Sequence, residues 1–511
     1  MTAEIVRAEW VKFRSVRGWV IGALVAVLAV IGVGELNQDS CSDNGATCTI
    51  PVGPGGEAVD DSFYFVHRPL ADDGTLTARI TSLTGQVGSS SGVTRAGSGG
   101  VPEPSLRPGL QPWSKAGIIV KADTSQGAAY AAMMATGVHG VRMQYDFTGD
   151  IAGTAGLVSP RSPGWLRLVR DGSVITGYDS ADGTHWTEVG TVTLPRFPGT
   201  VQAGLFAASP SLSVTLSSSL GGGSGTVEAT QAIGVFDHVS LTGVSAGAWR
   251  GDAIGANGQY PALPDGGFRQ ADGGSTVTVA GSGDIAPDVA GSGISGSLSQ
   301  TLVGTFAGLI AVVVLGALFM TAEYRRGLIR VTCAASPIRG RVLAAKAAVL
   351  ALVTFLAGCV AAPVALYLGQ QSMRAGGVPV DPVTAPTMAR MVAGTGALLA
   401  VAAVLALALA TIIRQGAAAV AIVIVVIVLP YVVGTIPGLL PASVGLWLLR
   451  ITPAAGFAIQ QAYPRYPQVI ASYSPVSGYY PLSPWTGFTV LCCYAVVALA
   501  LAWYLLRRRD A

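Results

Sequence analysis

TAEYRRGLIRVTCAASPIRGRVLAAKA, residues 321–347, joins two long apolar runs and carries six of the chain's 31 lysines and arginines. Elsewhere the 511-residue chain is sparing with charge: 12% of its side chains are charged and its net charge is +3. That share is about half of the roughly 25% usual in soluble proteins, so much of the sequence belongs out of water. A basic cluster between apolar runs reads as a loop held on the inner side of a membrane. The net charge is too small, and the basic residues too closely tied to the apolar runs, to suggest nucleic-acid binding.

About 20 apolar residues cross a hydrocarbon core, and six stretches qualify: 18–35, 301–321, 346–369, 390–413, 416–436 and 487–506. None has an ionisable residue near its middle, where a charge costs at least about 2.5 kcal/mol. This argues against a carrier driven by protons or sodium through an intramembrane carboxylate. Arg7, Lys12, Arg14 and Arg17 precede the first span, the six basic residues of 321–347 lie between the second and third, Arg414 follows the fourth, and Arg507, Arg508 and Arg509 follow the sixth. The opposite short loops hold only Arg374, Arg390, Arg450 and Arg465. Both termini are therefore expected in the cytoplasm.

The first 17 residues form an expected interfacial helix, with Val6, Trp10 and Phe13 on one face, as suits a helix lying among lipid headgroups. Two glutamates before the first span, and no small-x-small cleavage site after it, favour a retained anchor over a signal peptide. Cys41 and Cys48 follow this span in CSDNGATC. A short loop containing Asn-Gly could close a disulfide there in an oxidising exterior, the alternative being two free thiols. Cys333, Cys359, Cys492 and Cys493 fall in cytoplasmic or membrane positions, and no cysteine or histidine spacing suggests zinc.

Residues 36–56 read as an external linker and 57–244 as a β domain. In WLRLVRDGSVITGYDSADGTHWTEVGTVTL (165–194), Asp171-Gly172 and Asp182-Gly183 punctuate short alternating runs, a strong local hairpin signal. Residues 245–299 are Gly-rich with one short strand-like run, and read as a tether. The motifs PWSKAGIIVKAD, WLRLVRDGSVITGYDSADGTHWTEVG, VQAGLFAAS and FDHVSLTG resemble, in order, those of concanavalin-like (laminin-G-like) jelly rolls. The resemblance implies a two-sheet sandwich of a class that often binds carbohydrate. Hydrolysis would need paired carboxylates, and the E-x-D-x-x-E strand of jelly-roll glucanases is missing: Glu188 stands alone, and Asp146 and Asp150 lack the spacing. Trp113, Trp165, Tyr178 and Trp186 are the candidate sugar-stacking residues, with core packing as the competing role. Asp179 and Asp182 suit either a calcium ion or a turn. His139, His185 and His238 suit turns or the surface.

The opening stretch closely resembles the loop between spans two and three of ABC exporter permeases of the type-two class, here of an actinobacterial-like form. That class has six spans, an N-terminal interfacial helix similar to AEWVKFRSVRGW, and a re-entrant outer region before the last span. Here 437–486 fits that region: the stretch at its start, IPGLLPASVGLWLL, has about 14 residues and several Pro and Gly, too short to cross but apolar enough to dip in from outside. The resemblance implies that Glu323, Tyr324, Arg325, Arg326 and Gly327 form the cytoplasmic end of span two, and that Ser336, Pro337, Arg339, Gly340 and Arg341 form the segment that docks on an ATPase within the loop 322–345. Leu328 and Cys333 depart from the usual Thr and Leu.

The expected fold is a polytopic α-helical membrane protein of six spans, with an extracellular all-β jelly-roll sandwich inserted between spans one and two and the permease domain over 300–511. No G-x-x-x-x-G-K-[ST] occurs, and none of the four lysines follows a glycine, so the chain holds no ATP by that device. The resemblance implies that ATP and magnesium are held by a separate cytoplasmic ABC ATPase subunit, and no cofactor is expected on this chain. The remaining expected partners are a second permease copy or a similar chain, membrane lipid, and an extracellular carbohydrate; the expected place is a bacterial plasma membrane. Two rivals are a membrane-anchored carbohydrate-binding sensor or lectin without transport, and a tethered glycan hydrolase.

Overall fold

The computed structural model describes residues 2–36, 42–43, 46–47, 50–89, 105–217, 223–243, 247–255, 266–290, 296–325, 339–435, 440–471 and 473–508. Cys41, Cys48 and Cys333 lie outside them, as do Arg326, Gly327, Ser336 and Pro337. The chain divides into a helical unit (Met1–Cys48, Ile294–Arg465 and Ser472–Ala511) and a β unit (Thr49–Gly293 and Tyr466–Ala471).

The helices are α1 (Thr2–Ser15), α2 (Arg17–Leu36), α3 (Thr305–Arg325), α4 (Arg339–Ala375), α5 (Ala385–Ile413), α6 (Gly416–Thr435), α7 (Ala442–Ile451) and α8 (Pro484–Arg508). Among the described residues, six helices are long and apolar enough to cross a membrane: α2 to α6 and α8. Most run a few residues past the expected spans, since polar residues at a helix end keep their backbone bonds while leaving the apolar layer. Central α5 packs against α3, α4, α6 and α8, and its buried positions are rich in alanine and glycine. Such small residues let helices approach where water exclusion offers no drive. At Gly358 of α4 an added Cβ would lie 2.6 Å from Gly396 Cα of α5. At Gly304 and Gly308, around the start of α3, an added Cβ would collide with Val30 of α2. Helix α7 has ten residues, about 15 Å, too short to cross. A buried 3-10 segment, Pro453–Gln460, follows it.

In the β unit two antiparallel sheets carry most of the strands. One has seven strands in the order 149–152, 141–145, 130–136, 115–121, 200–208, 63–71, 250–254; the other has eight, running 187–193, 174–180, 164–171, 74–89, 230–241, 276–281, 266–271, with 105–108 beside 74–89. The hairpin expected at Asp171-Gly172 forms, with Asp171 opposite Val174 and Gly172 at φ +58. Between the sheets lie Val66, Ile118, Met133 and Leu205 from the first and Ile80, Leu166, Ile175 and Val279 from the second.

The seven-stranded sheet is also covered on its other face, where Phe63, Phe65, Ile119, Tyr130, Met134 and Phe206 pack with Val59 and Ile285. Strands 115–121 and 130–136 are therefore buried at every position. Burial on both faces explains why YAAMMAT is a continuous apolar run rather than an alternating one. The tether expected over 245–299 is corrected: Arg250–Ile254, Gly266–Ala271, Thr276–Gly281 and Ile285–Pro287 are strands paired into the β unit. Glycine suppresses the side-chain alternation by which such strands are read, but it does not remove the backbone groups that pair.

Candidate functional site

Two carboxylates and two ammonium groups meet where α1, the end of α3 and the start of α4 come together. Lys346 Nζ lies 2.7 Å from a carboxylate oxygen of Glu9 and 2.7 Å from one of Glu323. Lys12 Nζ lies 3.0 Å from Glu9 and 3.2 Å from Glu323. Glu9, Glu323 and Lys346 are buried; the Lys12 side chain is 45% exposed. Lys346 also rests 4.7 Å above the Phe319 ring, which is met edge-on by Phe13 and Trp19. The four charges sum to zero and each carboxylate is shared by both ammonium groups, as a buried ionic cluster requires if its desolvation cost is to be offset. Burial alone would lower the Lys12 ammonium pKa, but Glu9 and Glu323 outweigh it and raise it above its ordinary value.

The inward stripe of α1 is Ile5, Glu9 and Phe13, one turn apart, while Val6 and Trp10 are each 39% exposed. Of the expected Val6, Trp10 and Phe13 face, Phe13 thus joins the buried stripe while Val6 and Trp10 stand outside it. A carboxylate takes the central inward place because two lysines stand ready to pair with it. Glu323 lies two residues before the end of α3 and Lys346 seven after the start of α4. Their direct contact therefore pins together both ends of the segment expected to meet an ATPase. The clamp adds α1 as a third member.

Of the expected docking residues, Glu323 is in the clamp and Tyr324 is half-buried, with Arg414 Cζ 5.5 Å from its ring centre. Arg325 closes α3. Arg339 opens α4 and donates to the carbonyl of Leu506 at 3.3 Å, while a side chain at Gly340 would collide with Trp503. Arg341 is exposed. The ends of α3, α5 and α8 and the start of α4 thus share one side of the helical unit with α1. Arg326, Gly327, Ser336 and Pro337 are outside the described residues. Glu9, Lys12 and Lys346 were missed as site residues; the only sequence signal was charge of both signs flanking the first and third spans.

Far from the clamp along the helices, Arg390 donates to the carbonyls of Ile459 and Gln461 at 2.8 and 2.6 Å. Buried Gln460 donates to Thr305 and Thr395, both at 2.9 Å. These bonds hold the 3-10 segment after α7, within the expected re-entrant region, against α3 and α5. Residues Tyr466–Ala471 of that region belong with the β unit, where Gln468 is buried and donates to the carbonyls of Phe147 and Thr148 at 3.4 and 3.3 Å.

On the β unit, Trp165, Tyr178 and Trp186 are all half-buried. Trp165 lies opposite both Arg79 and Ser180, and Tyr178 opposite Arg167, in neighbouring strands. Trp165, Arg167 and Tyr178 therefore share the outer face of the eight-stranded sheet. Arg167 Cζ lies 3.7 Å over the Trp186 ring and Arg79 Cζ 5.7 Å over that of Trp165. Trp113 is separate: it is 4% exposed and stacked on His139 at 4.0 Å. Asp179 accepts from the Thr154 N–H at 2.7 Å, and Asp182 from the N–H groups of Thr184 and His185, both at 2.8 Å. Both aspartates thus serve local backbone structure, and among the described residues no group of three or more His, Cys, Asp and Glu could hold a metal ion.

The model of the ABC-2 family transporter protein matches residues 117–511. No curated protein matches the chain. Among solved structures, a functionally unknown protein from Saccharomyces cerevisiae is 16% identical over 39% of this chain and 84% of its own, with a TM-score of 0.22. Scytalido-glutamic peptidase with a transition state analog inhibitor is 9% identical over 43% of this chain and 98% of its own, with a TM-score of 0.26. Scores this low carry no argument about either unit.

Proposed function

This chain belongs to the ABC-2 family of transporter proteins, and on that premise we propose that it is the exporting permease of an ATP-driven pump whose motor presses on the segment between α3 and α4. It is a multi-pass membrane protein and a permease subunit, which in this family works with an ATP-binding subunit. The observation that carries the proposal is the clamp. A push on residues 326–338 meets two helix ends joined directly by Glu323 and Lys346, so the load passes into α3, α4 and α1 together instead of being lost in one connection. Closure of two ATPases would tilt these helices as a set, in two permease copies or one copy and a similar chain, and so alternate the pathway between its two sides. The clamp faces the cytoplasm in this reading, with the β unit outside.

The test is co-purification of a Walker-type ATPase with the solubilised full chain, and its release by the double change Arg339→Glu and Arg341→Glu. Retention of the ATPase by that variant refutes the docking assignment. Transport itself is read as substrate-stimulated ATP hydrolysis in proteoliposomes holding both subunits. A second reading, glycan recognition by the β unit, draws on Trp165 and Tyr178 sharing one sheet face with Arg79 and Arg167, the latter stacked on the Trp186 ring. Glycan-array binding by the full chain that is lost in Trp186→Ala supports it; an empty array refutes it.

A further inference from the structure

Lys121 ends strand 115–121 and Asp61 ends the short strand Val59–Asp61. Their side chains meet inside the β unit with neither exposed at all. Lys121 Nζ lies 2.7 Å from Asp61 Oδ2 and donates also to the Ala128 carbonyl at 3.0 Å. The same Oδ2 accepts from the Gly127 N–H at 2.7 Å. Asp61 Oδ1 is buried with no hydrogen-bond partner among the described residues. The rings of Tyr130 and Phe147 stand 5.9 and 5.7 Å from Nζ, and a side chain at Gly127 would strike the Val52 carbonyl. An amine and a carboxyl group are thus held in contact, in a buried aromatic pocket, with one carboxyl oxygen unpaired among the described residues.

We propose that Lys121 and Asp61 become joined by an amide between Nζ and Cγ, a covalent cross-link that the β unit makes in itself. A proton first passes from the ammonium to the carboxylate, leaving an amine and a carboxylic acid. The nitrogen lone pair then attacks Cγ, the bond from Cγ to the protonated oxygen breaks, and that oxygen departs as water with a second proton from the nitrogen. Nothing is oxidised or reduced, and no co-reactant is consumed.

In water this condensation is opposed, because the reactants are well-solvated ions; shielded from water, that solvation is missing and the neutral pair becomes accessible. Burial indeed pushes the Asp61 carboxyl up and the Lys121 ammonium down from their ordinary values, against the pair's mutual attraction. Holding the two groups in contact also removes the entropic cost of bringing them together. The bond would fasten the strand near the start of the β unit to the middle of its seven-stranded sheet.

Intact-mass spectrometry of the purified full chain, followed by tryptic mapping, decides the matter. The expected mass is below that of the sequence by one water. A branched peptide should link the segment containing Asp61 to that containing Lys121, with no cleavage after Lys121. Lys121→Arg keeps the positive charge but cannot condense, and should return to its full sequence mass. A parent chain at full sequence mass with ordinary cleavage after Lys121 overturns the proposal, whatever the variants do. So does a water loss that survives Lys121→Arg and vanishes in Lys115→Arg, since Lys115 pairs with Asp284 at 2.6 Å in a similarly buried place.

Discussion

Replacing Lys346 by methionine tests the clamp most directly. Methionine keeps the apolar stem over Phe319 and removes only the ammonium. Two contacts of 2.7 Å are lost, and Glu9 and Glu323 are left to share Lys12, which is 45% exposed. The cluster passes from neutral to a net charge of one negative in a place where Glu9 is 2% exposed. Removing one partner of a buried ionic group costs about 3–5 kcal/mol, more than about a hundredfold in the balance between joined and released helices. Hydrogen exchange along residues 5–13 and denaturation of the detergent-solubilised chain should both register it. Glu323→Gln in the same chain restores neutrality, and the double variant should recover about 1–3 kcal/mol relative to additivity. A Lys346→Met chain that denatures and exchanges like its parent, or a cycle that is simply additive, would refute the claim that these charges join the helices.

Arg390→Gln should free the segment around Ile459 and Gln461, at a cost of about 1.5–3 kcal/mol for each lost charge-assisted bond, seen as faster exchange there while α1 exchange is unchanged. Gly117→Ala should destabilise the β unit severely, because its Cβ would enter the Met133 carbonyl on the neighbouring strand; denaturation of the full chain checks this. Burial, aided by the positive charge of Arg142, holds the His139 imidazole below 6.5. The folded state thus binds this proton less tightly than the unfolded one, so the contribution is present above the ordinary histidine range and is lost as pH falls through it. Trp113→Ala should move that titration back up towards 6.5, as followed by histidine NMR.

Long apolar stretches, and basic residues placed on alternate sides of them, were legible in the sequence because the membrane constrains each helix separately. The Asp171-Gly172 hairpin was legible for a similar reason, its turn chemistry being contained in adjacent residues. Strands at 250–254, 266–271 and 285–287 were not, since glycine hides alternation and their pairing partners lie far along the chain. The seven-stranded sheet's second buried face was equally hidden, because a continuous apolar run does not say what covers it.

The residues between α3 and α4 announced themselves by local wording, yet the clamp at their base did not. Glu9 and Lys346 stand 337 positions apart, and no spacing rule relates them. Lys121 and Asp61 show the same limit, since nothing adjacent to either in the chain marks it for burial beside the other. The sequence determined by itself what is set by neighbours along the chain: helix length and tight turns. Only the tertiary structure decided which charges meet and which lose their solvent, because contact and dielectric environment arise from residues that sequence distance does not bring together.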